Sequence, residues 1–108
     1  MNPQVHLEDY AGYYATEFST SDSRVEIVCT RDFNDFRKIS IVPEKGAKDR
    51  KLKVETLWVT LRFMNYDGHL CLGELEVVEQ EDGIIYIDAD FGAFRIHSRN
   101  SVPRPKNA

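Results

Sequence analysis

Residues 52–91 read LKVETLWVTLRFMNYDGHLCLGELEVVEQEDGIIYIDADF, and this stretch decides the fold. Apolar residues recur at every second position in three runs, which is typical of half-buried β-strands. Two polar segments that end in glycine, residues 65–68 and 80–83, separate the runs. Each segment suits a type I turn followed by a glycine with positive φ, which is the three-residue hairpin loop. We therefore expect three consecutive antiparallel strands here.

The two turns also predict the register of these strands. In the first hairpin Val59 should lie opposite Leu75. In the second hairpin Leu75 should lie opposite Ala89, and Val77 opposite Ile87. A slip of one residue in either hairpin would move the central strand's apolar side chains to the other face. We expect one buried face made of Leu57, Val59, Leu61, Leu75, Val77, Ile87 and Phe91, whereas Glu74, Glu76, Asp88 and Asp90 should not be buried.

Strand patterns continue on both sides of this stretch. Seven runs have strand character: residues 12–19, 24–30, 36–42, 52–64, 70–79, 84–91 and 93–98. Only residues 9–14 and 43–51 are compatible with a helical turn. Short strands joined by tight turns predict an all-β antiparallel meander that forms a closed or nearly closed barrel, with a two-sheet sandwich as the alternative. The meander resembles the calycin or lipocalin architecture, and architecture alone carries no function.

Length and composition predict a single domain. The chain has 108 residues, of which 42% are hydrophobic and 30% charged, enough for one core and a polar surface. We expect one β domain over residues 1–101 and a flexible tail over residues 102–108. No secretory signal pattern and no apolar run of membrane-spanning length is visible, so we expect a cytoplasmic protein without membrane contact. Cys29 and Cys71 lie in strand patterns and fit two buried free thiols.

Acidic residues gather on the opposite face of the three strands. From residue 72 to residue 92 the chain has seven acids and no Lys, Arg or His. In the expected register Glu76 lies opposite Asp88, and Glu74 lies opposite Asp90. Like charges that oppose each other across a sheet cost about a few tenths of a kcal/mol per pair. Packing gives no reason for acids at these positions.

Three interpretations of the acidic residues are open. They form a solvated face without a function, a docking surface for a basic protein, or a site for a divalent cation. A docking surface would use the neighbouring Trp58 and Tyr86 as anchors, because aromatic residues are enriched among those that dominate binding energies. A cation site needs oxygens that converge at about 2.4 Å, whereas neighbours on a sheet stand about 4.5–5.5 Å apart. A general acid–base pair would need a cleft as well.

Motifs for catalysis and for nucleic-acid binding are missing from the sequence. The glycines are isolated rather than grouped in a phosphate-binding loop, and neither cysteine has a histidine at a recognisable spacing. The basic residues between positions 45 and 53 lack interleaved aromatic residues, and the isoelectric point of about 5.3 has the wrong sign for a phosphate binder. We therefore expect no enzyme, with no catalytic residues, no metal, no cofactor and no nucleic-acid partner.

The expected function is a non-catalytic binding module whose acidic face contacts a basic protein, as an inhibitor, immunity factor or adaptor does. The residues expected to bind this partner are Trp58, Glu74, Glu76, Tyr86, Asp88 and Asp90. The alternative is a small β-barrel that binds an apolar molecule inside, with Tyr10, Tyr13, Tyr14 and Phe18 at its mouth. A second alternative is an enzyme of a type that the sequence does not reveal.

Overall fold

The computed structural model describes residues 7–44 and 50–98. A short 3-10 helix, Leu7–Tyr10, precedes nine strands: β1 (Tyr14–Thr20), β2 (Val25–Thr30), β3 (Phe36–Ile41), β4 (Lys53–Val59), β5 (Met64–Tyr66), β6 (His69–Cys71), β7 (Gly73–Glu81), β8 (Ile84–Ala89) and β9 (Gly92–His97). Seven strands form one sheet in the order β3-β2-β1-β7-β8-β9-β4, and β5 and β6 form a separate hairpin. The expected tail over residues 102–108 lies outside the described residues, as do residues 45–49.

The all-β antiparallel meander is confirmed, but the sheet does not close into a barrel. Its edges are β3 and β4, and these two strands do not pair with each other. The sheet instead folds back on itself. This is shown by the ring of Phe18 on β1, which lies 4.9 Å from the ring of Phe94 on β9, three strands away in the sheet order. One core fills the space between β1–β3 and β7–β9. This arrangement is consistent with the two-sheet alternative.

Both glycine-containing turns lie where the sequence predicts them, but they are one residue shorter than expected. The last paired residues are Tyr66 with His69 and Glu81 with Ile84, so each loop has two residues. In the second loop Asp82 and Gly83 both have positive φ, 51° and 77°. A type I′ turn needs positive φ at both central residues, and Asp-Gly is one of its preferred dipeptides. The prediction of three-residue loops was therefore wrong.

A β-bulge in β7 compensates for the shorter second turn. The register shifts between Leu75 and Val77, so Leu75 lies opposite Ala89 as predicted. Beyond the bulge the prediction fails by one residue, because Val77 pairs with Asp88 and Val78 pairs with Ile87. Val78 is consequently 3% exposed, whereas Val77 is 38% exposed.

The predicted pairing of β4 with β7 was wrong. Val59 pairs with Gly92 of β9 rather than with Leu75, and the first hairpin contains only the three pairs of β5 and β6. A strand with alternating apolar residues can pair with any strand that has a matching apolar face, so alternation does not identify the partner. In the structure β4 forms six residue pairs with β9. As a result, the predicted core side chains Leu57, Val59 and Leu61 are 57%, 45% and 54% exposed.

The remaining core predictions agree with the structure. Leu75, Ile87 and Phe91 are buried, and the two cysteines are buried free thiols. Burial raises the pKa of Cys29 to about 11. The thiol of Cys29 therefore stays protonated near neutral pH.

Candidate functional site

The four predicted carboxylates come together at one end of β7 and β8. We call Glu74, Glu76, Asp88 and Asp90 the acidic cluster. Asp90 follows β8, and its Oδ2 accepts hydrogen bonds from the Tyr66 hydroxyl and from the backbone N–H of Glu74, each at 3.0 Å. The backbone N–H of Asp90 also donates to the Glu74 carbonyl at 3.0 Å. Asp90 therefore ties the β5–β6 hairpin to the main sheet.

The negative charges of the acidic cluster repel each other most strongly at Glu76. A hydrogen bond with Asp90, followed by the negative charges of Asp90, Asp88 and Glu74, raises the pKa of Glu76 above its ordinary value. Burial and the hydrogen bond to Asp90 raise the pKa of Tyr66 to about 12. Within residues 7–44 and 50–98, none of the four carboxylates forms a salt bridge. Among the described residues, no salt bridge therefore offsets the repulsion within the cluster.

The two predicted anchors lie on the same outer face as Asp88, and Trp58 shares a row with Asp88, but β9 rather than β7 is the strand next to Trp58. One row across β7, β8, β9 and β4 reads Val77, Asp88, Ala93 and Trp58. Strand β9 therefore separates Trp58 from Asp88 by about 10 Å, two strand spacings. Tyr86 occupies the next row, between Glu79 and Arg95. Glu76 lies in the bulge rather than opposite Asp88.

A second surface feature was not predicted from the sequence. Five large apolar side chains on β4 and on the segment after it are between 45% and 65% exposed, and we call them the apolar edge: Leu57, Trp58, Val59, Leu61 and Phe63. The alternation in residues 57–63 correctly indicates an apolar face. It does not indicate that this face belongs to an edge strand, and for this reason these side chains were expected in the core.

The two edges of the sheet differ in how they are protected. Edge strand β3 carries the exposed cations Arg37 and Lys38 in succession. Charged side chains discourage an edge strand from pairing with another chain. Residues 57–61 at the β4 edge contain no charged residue. Lys53 and Glu55 lie at the other end of β4, so it is residues 57–61 of this edge that lack the protection that β3 has.

The four aromatic residues expected at a barrel mouth do not share one site. Tyr10 is buried against Tyr13, with ring centroids 5.1 Å apart. Phe18 packs between Phe91 and Phe94 in the core. Tyr14 lines an open cleft of about 330 Å³, together with Phe33, Tyr66 and His69, and the rings of these residues lie against each other. Tyr13 lines a separate cleft of about 180 Å³.

Other kinds of site are not formed by the described part of the chain. Within it, no three His, Cys, Asp or Glu side chains are arranged to hold a metal ion. The same residues include no helix with the length and apolar character needed to cross a membrane. Comparison with protein-family models, with curated proteins and with solved structures gives no match to this chain. The function must therefore be inferred from the geometry of the molecule itself.

Proposed function

We propose that this protein is a non-catalytic binding module whose outer sheet face docks a basic protein partner. The acidic cluster carries the proposal, because its four carboxylates form no salt bridge among the described residues and share their face with exposed apolar side chains. Trp58, Val77 and Tyr86 supply the apolar contacts on this face. Cationic side chains of the partner would neutralise the cluster and remove the repulsion at Glu76.

The proposal agrees with the energetics of charged interfaces. A concentrated negative field accelerates the encounter with a cationic partner, and salt weakens that effect. The exposed ring of Trp58 and the partly buried ring of Tyr86 on the same face provide contact area at a small cost in conformational entropy. The alternative of an apolar ligand inside a barrel has less support, because the sheet is open and Phe18, Phe91 and Phe94 occupy the space between its halves. The enzyme alternative gains no supporting geometry.

Binding of a synthetic peptide tests the proposal. The probe is a labelled peptide of alternating Lys and Leu, and the measurement is fluorescence anisotropy at low and high salt. The double variant Glu76→Lys with Asp88→Thr should bind it at least about tenfold more weakly at low salt, with a smaller difference at high salt. The matched control is Glu8→Lys with Asp9→Thr, which makes the same charge change at two exposed residues outside the outer face.

The binding result has two outcomes that would contradict the proposal. In one, the control double variant loses as much affinity as the cluster variant, so that net charge alone explains binding. In the other, a peptide of alternating Glu and Leu binds the parent protein as well as the Lys-Leu peptide does. Either result would make the acidic cluster an ordinary solvated surface.

Stability should also depend on pH through Glu76. Because the pKa of Glu76 is higher in the folded chain than in the unfolded chain, its contribution to stability is fully present below the unfolded pKa. That contribution is lost as the pH rises through the raised pKa. The melting temperature of the parent protein should therefore fall as the pH rises through this range. We expect Glu76→Gln to make that fall smaller. Glu79→Gln, which replaces an exposed residue on the same strand, should leave the fall unchanged. Thermal unfolding followed by circular dichroism from acidic to neutral pH measures the difference, and equal profiles for both variants would contradict it.

A further inference from the structure

We propose that the apolar edge pairs with the same edge of a second copy of this chain. In the proposed dimer, β4 of each copy lies antiparallel to β4 of the other, about a two-fold axis at Val59. The seven-stranded sheets of the two copies would then be continuous. This inference goes beyond the proposed function, and the two surfaces share only Trp58.

The backbone of Val59 faces the open side of β4. The N–H of Thr60 donates to the carbonyl of Phe91 at 2.8 Å, on the side of β9. Successive residues of a strand direct their backbone groups to opposite sides, so the N–H and C=O of Val59 point away from β9. An axis at Val59 lets these groups bond to the same groups of the second copy. It also places Leu57 opposite Leu61 of the other copy.

The exposed area matches what a dimer needs. Side chains of this size at 45% to 65% exposure leave roughly 100 Å² each in water, so the five together expose on the order of 500 Å². The largest apolar patch of a typical monomer covers about 300–600 Å². A standard interface buries about 800 Å² on each partner, including backbone and polar area. The apolar edge supplies more than half of that area along one strand edge, with side chains on both faces of the sheet.

The charges favour a second copy as the occupant. A two-fold axis always brings like residues near each other, so a self-pairing edge must lack charges near the axis. Residues 57–61 fulfil this condition, and Thr60 is the polar residue that would face Trp58 of the other copy. Strand β3 fails it, since Arg37 and Lys38 would oppose cations. The acidic cluster on β7 and β8 lies beyond β9 from this edge and stays accessible in the dimer.

The oligomeric state of the full chain tests the dimer. Sedimentation equilibrium over a range of concentrations should give twice the monomer mass of 12.5 kDa. Val59→Lys brings two ammonium groups to the axis, and we expect the dissociation constant to rise at least about 100-fold. Leu61→Lys, two residues after the end of β4, should also raise the dissociation constant. The matched control is Phe36→Lys, because Phe36 is 50% exposed on the opposite edge and its replacement should leave the mass unchanged.

Three results would overturn the dimer. The parent chain sediments as a monomer at every concentration, or Phe36→Lys dissociates it as much as Val59→Lys does. In the third, the parent is monomeric and removal of residues 99–108 makes it dimeric, which would identify the chain's own tail as the occupant. Circular dichroism establishes that each variant is folded. The Lys-Leu peptide experiment is independent of this test, because Val59→Lys leaves the acidic cluster intact.

Discussion

Replacing Leu75 by alanine is expected to lower the free energy of unfolding by about 2–5 kcal/mol. The Leu75 side chain is fully buried on the central strand β7, in the core between the two halves of the sheet. Its removal forfeits the transfer energy of the lost methyl groups and leaves a cavity that the surrounding strands fill only partly. Urea unfolding followed by circular dichroism and by Trp58 fluorescence measures the change.

Leu57→Ala is the matched control for this result. The Leu57 side chain is 57% exposed at the bulge of β4, so its truncation should change stability by under about 1 kcal/mol. Both measurements belong in the Val59→Lys background, in which dimer formation does not contribute. The register expected from the sequence makes Leu57 and Leu75 equivalent core residues. Equal losses for the two variants would therefore contradict the pairing of β4 with β9.

Gly73→Ala is expected to cost about 2–5 kcal/mol, as the sum of backbone strain and overpacking. Gly73 has a φ of +133°, a conformation that side chains rarely adopt, and a Cβ there would lie 2.5 Å from the Cβ of Asp90. Gly73 also pairs with Ala15, where β1 meets β7. Added bulk would displace Asp90 and its hydrogen bonds to Tyr66 and Glu74. The expected change is a lower urea midpoint together with a rise in exposure of the β5–β6 hairpin amides to hydrogen exchange.

Gly68→Ala separates the two causes of that loss. Gly68 has a φ of +86° in its turn, and a Cβ there meets nothing within 4 Å. Its replacement should show only the cost of strain, about 1–2 kcal/mol. If Gly73→Ala costs no more than Gly68→Ala, the close approach of Asp90 to Gly73 does not constrain the fold.

The acidic cluster and the apolar edge occupy different parts of the sheet surface. The acidic cluster lies on β7, on β8 and at Asp90 directly after β8. The apolar edge lies on β4 and the segment after it, and no strand among the described residues pairs with the outer side of β4. A dimer through β4 would present two acidic clusters on one continuous sheet. A partner with two basic segments would then bind more tightly than one with a single segment.

Local sequence patterns determined the elements of this fold. Alternating apolar residues predicted the strands, and the two Asp-Gly dipeptides marked the turns within one residue. The density of acids between residues 72 and 92, together with the strand period, was enough to group Glu74, Glu76, Asp88 and Asp90. These features depend on interactions between residues close in sequence, which alternation and turn chemistry report directly.

Only the tertiary structure decided which strand neighbours β4. The alternating pattern predicts that Val59 belongs to an apolar face, but by this pattern both β7 and β9 are suitable neighbours for β4. The choice of β9 converts Leu57, Val59 and Leu61 from core residues into an exposed edge. The two-residue turn moves Val78 into the core in place of Val77. The bulge at Glu76, which likewise has no local signal, then returns Leu75 to the core. Pairing between strands distant in the chain depends on the packing of all strands together. The alternation within a single strand therefore does not predict which strand it pairs with.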